Sequence, residues 1–216
     1  GRRLSMRLYS SPLFIGDILA QTLFKTYDSL VLTSATLSCN GNFDFFLNRT
    51  GLGAVKGREV LNVCLPSPFD FRQQAMIAIP TDLPDADAPG YEECQRRALL
   101  EIIGCMGGRT LVLFTSYRAM DAAAEYLENK LSHTRVRVLK QGTDTRTNLL
   151  NRFISTPSCV LMGTDSFWEG IDVIGPALEC VVLVKLPFRV PTEPVIQARI
   201  EDLDRRGRNS FTEYSL

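Results

Sequence analysis

Histidine and tryptophan each occur once in 216 residues, as His133 and Trp168. A single imidazole excludes a histidine-built metal cage and leaves little for a histidine-centred triad. There are six cysteines (Cys39, Cys64, Cys94, Cys105, Cys159 and Cys180), but no two have CxxC spacing. A zinc or iron–sulfur centre made from them alone is not expected. Cys64, Cys159 and Cys180 sit in apolar, strand-like runs and are expected to be buried, reduced thiols. Excess charge of either sign is missing too, with 24 Lys+Arg against 24 Asp+Glu. Bulk basicity therefore does not announce nucleic acid, although a local basic face would suffice. No apolar run approaches the roughly 20 residues that span a membrane, and Gly1–Ser10 is too charged for a signal peptide. A soluble, cytoplasmic protein with no membrane partner is expected.

Apolar residues make up 45% and charged ones 22% of the chain, an ordinary globular balance. The length allows one good-sized core, or one domain with part of another. Its most informative stretch runs from Val160 to Lys185. Two apolar runs, CVLM and CVVLV, suit buried parallel strands. Between them, Gly163–Gly175 collects Asp165, Glu169 and Asp172, the hydroxyls of Thr164 and Ser166, three glycines and Trp168. A mere connection needs none of that chemistry, so this loop is the leading site candidate.

Residues 12–27 repeat apolar positions at helical spacing, with Ser11 and Pro12 as start signals. Residues 29–38 (SLVLTSATLS) predict a strand, Phe43–Leu47 a short helix capped by Asn42 or Asn40, and Val60–Leu65 an extended segment. From Ala75 the pattern is regular. AMIAIP predicts a strand, Tyr91–Met106 a helix stopped by Gly107–Gly108, and TLVLFTS a buried strand. Tyr117–Leu131 predicts an amphipathic helix, RVRVL a strand, Arg146–Ile154 a helix, CVLMG and LECVVLVKLPF strands, and Glu193–Arg206 a last helix. Strands alternating with helices imply an α/β fold, a mainly parallel sheet covered on both faces. Ligands bind at the carboxyl ends of strands in such sheets. The loops Thr115–Tyr117, Gln141–Gly142, Gly163–Asp172 and Lys185–Pro191 should therefore share one edge.

These strand-end motifs, taken in order, resemble the second motor domain of superfamily 2 helicases of the DinG/XPD type. The resemblance is carried by Val31–Leu37 (VLTSATL), Ser67–Asp70 (SPFD), Leu111–Tyr117 (LVLFTSY), Gln141–Gly142, Gly163–Asp172 (GTDSFWEGID), Lys185–Phe188 (KLPF) and Pro191–Glu201. It covers almost the whole chain, and the ordered set with SFWEGID is its specific part. It implies a RecA-like three-layer α/β/α domain from an enzyme that couples ATP hydrolysis to 5′→3′ movement on single-stranded DNA in repair or replication. By the same resemblance, residues 1–38 would close the first motor domain, 39–74 would cross over, and 75–216 would form the second. Three departures accompany it. GxxxxGK[ST], the phosphate-cradling loop, is absent, as is an Asp-Glu-Ala-His-like box for magnesium. The sequence also stops before the Gln-x-x-Gly-Arg motif that carries the family's arginine finger. ATP, Mg²⁺ and any iron–sulfur cluster would then be held mainly by a first motor domain acting in cis. This piece alone is expected not to hydrolyse ATP, and no residue is assigned a catalytic role.

By resemblance, Ser34 and Thr36 belong to the motif coupling the nucleotide site to DNA. Thr115, Ser116, Gln141 and Thr164 would meet the DNA backbone, and Gly170, Asp172 and Glu169 would face the nucleotide. The residues have plainer roles as well. Ser116 suits an N-cap, Gln141–Gly142 a turn, and Trp168 either a base-stacking platform or a plug bracing its loop, the plug being favoured. Arg135, Arg137, Lys140, Arg146 and Arg152 suit a basic patch or an ordinary solvated face, and Arg199 with Glu201 a local ion pair. Taken without the resemblance, the three carboxylates also suit acid–base work or a divalent cation in an unrelated α/β enzyme. A helicase-derived module that binds nucleic acid or protein without motor activity is the other alternative.

Overall fold

The computed structural model describes residues 8–188 and 191–211. Most of Gly1–Ser10, the Arg189–Val190 part of the fourth strand-end loop, and Tyr214–Leu216 lie outside the described residues. In chain order the helices are α1 (Gly16–Leu19, running into a π turn at Ala20–Phe24), α2 (Asp44–Thr50), α3 (Phe71–Gln74), α4 (Tyr91–Met106), α5 (Tyr117–Leu131), α6 (Arg146–Ser155) and α7 (Pro194–Arg205). The strands are β1 (Thr110–Leu113), β2 (Arg137–Lys140), β3 (Cys159–Gly163) and β4 (Cys180–Leu183). The described residues divide into two compact units: Ala78–Phe188, and the residues on either side of it.

Within Ala78–Phe188 the sheet order is β2-β3-β1-β4, and every pairing is parallel. Successive side chains on a strand point to opposite faces, and both faces of this sheet are apolar. Val112 and Phe114 with Val160 and Met162 pack against Leu99 and Ile103 of α4 and against Met120, Ala123, Ala124, Leu127 and Leu131 of α5. Leu111, Leu113, Leu139, Cys159 and Leu161 turn the other way, onto Leu149 and Phe153 of α6 and onto Phe167. That is the three-layer α/β/α arrangement expected. Each large side chain so buried is worth about 1.5–3 kcal/mol.

The helix ends follow local chemistry. Gly107 is left-handed (φ 61°) after α4, and the Gly108 amide donates back to the Ile103 carbonyl at 3.0 Å. Gly108 (φ +93°) also lies so close to the next layer that a Cβ would sit 2.5 Å from the Ser158 carbonyl carbon. Ser116 caps α5 by accepting from the Ala119 amide, and Thr145 caps α6 by accepting from that of Asn148. Both caps put a helix start just beyond a strand's carboxyl end.

Four expectations are corrected. β4 lies at the edge of the sheet, not inside it. Val182 and Val184 pack on the α4–α5 side, while Val181 and Leu183 remain about half exposed. Residues 29–38 and Ala75–Pro80 form no strand; Val31 is 84% and Met76 89% exposed. Strand-forming composition gives a strand only when a neighbour takes up the backbone hydrogen bonds, and no described segment does so. The first helix begins at Gly16, not at Pro12. Finally, the Glu201 carboxylate accepts from Gln197 and faces Arg205, whereas Arg199 donates to the Leu13 carbonyl. In this second unit α1 and α2 meet through Gly16 and Gly51, where a Cβ on Gly51 would lie 2.6 Å from the Gly16 Cα.

Candidate functional site

The carboxyl ends of β1, β2 and β3 bring three of the predicted loops together. Backbone bonds extend the ladder past the strands: the Phe114 amide donates to Gly163 (2.9 Å) and the Gln141 amide to Met162 (2.9 Å). Side chains then bridge the ends. The Gln141 Oε1 accepts from both the amide (2.7 Å) and the hydroxyl (3.1 Å) of Thr164. Its Nε2 donates to the Tyr117 hydroxyl at 2.7 Å. Thr164 is only 2% exposed, and its single hydroxyl hydrogen is spent on Gln141. Thr115 and Ser116 are exposed, Ser116 while capping α5. Beside this edge Lys185 stands 5.5 Å over the Tyr91 ring.

The Gly163–Asp172 loop is held from below and from the side. Phe167, buried, folds back under Gly163 so tightly that a Cβ there would meet its Cβ, Cγ and Cδ2 at 2.7–2.8 Å. Half-buried Trp168 donates its indole N–H to the Phe114 carbonyl at 3.2 Å. The indole therefore braces the loop against the end of β1, the plug role favoured from the sequence. Arg146 donates to the carbonyls of Glu169 and Gly170, both at 2.8 Å, and its guanidinium lies 5.7 Å from the Phe167 ring centre. Gly170 takes the left-handed φ of 66° that glycine adopts without strain. Glu169, Gly170 and Asp172 are exposed on this braced turn. Among the described residues no three His, Cys, Asp or Glu side chains gather closely enough to hold a metal.

The five cations do not make one patch. Arg137 begins β2 and Lys140 ends it, so they stand at opposite ends of that strand. Lys140 pairs with Asp121 at 2.8 Å, a hydrogen bond that raises its pKa above the ordinary value. Arg152 faces Asp144 at 3.9 Å. The Asp144 carboxyl is held below its ordinary range by hydrogen bonds from the Asn148 side chain and the Thr145 amide. Ser34 and Thr36 belong to the other unit, where their hydroxyls lie 3.1 Å apart and Ser34 also accepts from the Thr36 amide.

A family model described as the helicase C-terminal domain matches residues 99–216, more than half of the chain. The chain belongs to this family. It is 35% identical over 206 residues to the ATP-dependent DNA helicase YoaA of Escherichia coli, covering 95% of this chain and 31% of that protein. It is 37% identical to the ATP-dependent helicase DinG of Mycobacterium tuberculosis over 93% of this chain and 30% of that one. A protein named 3′-5′ exonuclease DinG from Bacillus subtilis is 31% identical over 100% of this chain and 23% of its own length. The chain thus spans about a third or less of these relatives. They agree with the DinG-type resemblance of the motifs and with a RecA-like reading of the three-layer domain.

Two residues escaped the sequence reading. By sequence Arg146 is one of five surface cations, yet it occupies the first position of α6, where the helix dipole disfavours positive charge. A cation in that place signals another task, and the loop carbonyls supply it. Tyr117 closes the LVLFTSY motif and by sequence is only a helix start; nothing in the sequence places it near Gln141.

Proposed function

We propose that this chain supplies the second motor domain of an ATP-dependent DNA helicase of DinG/XPD type. The observation that carries the reading is the gathering of Thr115, Ser116, Gln141 and Thr164 at one sheet edge, with the braced Glu169–Asp172 turn in the same loop as Thr164. The family match and the named relatives support it. In the full-length protein residues 1–38 close the first motor domain, 39–74 cross over, and 75–216 form the second. ATP and Mg²⁺ are held chiefly by the first domain, which also carries an iron–sulfur cluster if the protein has one. The protein works in the cytoplasm, moving 5′→3′ on single-stranded DNA in repair or replication.

When ATP is bound, the chemistry is phosphoryl transfer to water, which depends on positioning and charge stabilisation. This chain's residues form one wall of that cleft. The Asp172 carboxylate accepts ribose hydroxyls, Gly170 lets the backbone approach, and Glu169 borders them. On the DNA side Thr115 offers an exposed hydroxyl, and Ser116 brings the free amides at the start of α5 toward phosphate. Gln141 and Thr164 stand beside them as a bonded pair. Thr164 reaches a phosphate only when that pair opens, because both of its donors are given to Gln141. Ser34 and Thr36 couple the two sites through hydroxyls that exchange partners cheaply.

The test is ATP hydrolysis by the full-length protein with and without single-stranded DNA. Stimulation by DNA is expected, with a raised KM for ATP in Asp172→Asn and unchanged oligo(dT) affinity. Absence of any DNA-stimulated hydrolysis refutes the motor. The name of the Bacillus subtilis relative gives a second reading its footing, a helicase-derived module that binds nucleic acid or protein without motor activity. DNA binding without stimulated hydrolysis would select it.

A further inference from the structure

We infer that the Tyr117 hydroxyl is a hydrogen-bond donor to a backbone phosphate oxygen of single-stranded DNA, aimed by Gln141 acting as a positioning residue. The inference rests on the proposal that this sheet edge meets DNA. Its starting point is the orientation of one amide. A backbone N–H can only donate, so the Gln141 atom facing the Thr164 amide at 2.7 Å must be the oxygen. The Thr164 hydroxyl, at 3.1 Å from the same oxygen, fits that assignment. The other end of the amide is then the NH₂, a donor only. Facing it at 2.7 Å is the Tyr117 oxygen, which must accept. The phenolic hydrogen is therefore turned away from Gln141, and among the described residues nothing accepts it. Tyr117 is 55% exposed, at the first position of α5 and next to the exposed hydroxyls of Thr115 and Ser116.

Two further features favour phosphate as the acceptor. The start of α5 carries positive partial charge, which attracts anions, and a phosphate oxygen only accepts, matching the one hydrogen on offer. Thr164 and Gln141, by contrast, satisfy each other while Tyr117 makes this contact. Recognition by a phenol and a phosphate is independent of base sequence. The network also links the ends of β1, β2 and β3, so a phosphate on Tyr117 bears, through Gln141, on Thr164 in the Gly163–Asp172 loop.

The test uses the full-length protein and fluorescent oligo(dT), either all phosphodiester or with uncharged methylphosphonate central linkages. Tyr117→Phe keeps the ring and removes only the hydroxyl. It is expected to weaken phosphodiester binding about tenfold and methylphosphonate binding, whose remaining non-bridging oxygen is a weaker acceptor, no more than about threefold. Gln141→Met should cost about threefold alone and almost nothing in the Tyr117→Phe background, because Gln141 acts through the phenol. Equal losses on both oligonucleotides assign Tyr117 a stacking or structural role and overturn the inference, as does wild-type affinity in Tyr117→Phe. Additive losses in the double variant overturn the positioning role of Gln141. A wild-type protein that binds neither oligonucleotide overturns the DNA-facing reading of the whole edge, a result distinct from these.

Discussion

Replacing Gly163 by alanine probes the join between the sheet and the candidate loop with the smallest steric change. The new Cβ would lie 2.7–2.8 Å from the Cβ, Cγ and Cδ2 of Phe167, well inside contact distance. Rotation about the Phe167 side chain cannot relieve this fully, because its Cβ is fixed by the backbone and moves with neither side-chain torsion. The ring is also confined, being 2% exposed among Leu111, Leu149, Phe153 and Leu161. Gly163 pairs in register with Leu113, so its backbone is not free to withdraw. Overpacking of this kind costs about 1–3 kcal/mol. Urea denaturation followed by far-UV circular dichroism would measure the loss. Trp168, the only tryptophan and next to Phe167, should report a loosened loop by red-shifted emission in the native baseline. Adding Phe167→Leu should recover little of the loss, since leucine keeps the Cβ and Cγ that the new methyl meets. A Gly163→Ala protein within about 0.5 kcal/mol of wild type, with unchanged emission, would refute the tight seating of Phe167.

Arg146→Ala removes both guanidinium bonds to the Glu169 and Gly170 carbonyls. Amide exchange across 168–171 should quicken roughly fivefold, as expected for about 1 kcal/mol of local ordering, with little change in global stability; unchanged exchange would remove Arg146 as the clamp. Burial pushes the Cys159 thiol up to about 11. Because the folded state favours the neutral thiol, this contribution is complete below the unfolded value of about 8.5 and is lost as pH rises through about 11. Urea midpoints should fall across that interval less steeply in Cys159→Ala than in wild type. Of the three thiols expected to be buried only Cys159 is; Cys64 is exposed and Cys180 half-buried, so at pH 8 iodoacetamide should label Cys39, Cys64 and Cys105 well before Cys159; comparable rates would contradict the burial argument.

The α4–β4 core was legible because several local signals agree there. Tyr91–Met106 and Tyr117–Leu131 show helical periodicity and also carry their own stops and starts, at Gly107–Gly108 and Ser116. The apolar runs of β1 and β3 are buried on both faces, which a continuous Val/Leu/Met run predicts. β4 carries the same kind of run, yet it lies at the edge. A run says what a strand can bury and not how many neighbours it has. The same limit explains residues 29–38 and 75–80, whose side chains suit strands that no described segment pairs with. At the site, chain order and strand-end placement identified Thr115, Gln141 and Thr164 as neighbours in one region. Their actual bonds depend on β2 lying next to β3, a fact of topology that no local spacing contains. That is why Thr164 was expected to be outward and turns out to be buried against Gln141.

Hydrogen–deuterium exchange on the full-length protein, with oligo(dT) and a non-hydrolysable ATP analogue added separately, tests the central claim most directly. The two ends of one loop system should respond to different ligands. Oligo(dT) should protect amides at 115–118 and 141–143, and the nucleotide should protect those at 169–172. Protection by DNA at the opposite edge, around 107–109 and 157–158, or no protection at any of these strand ends by either ligand, would contradict the account.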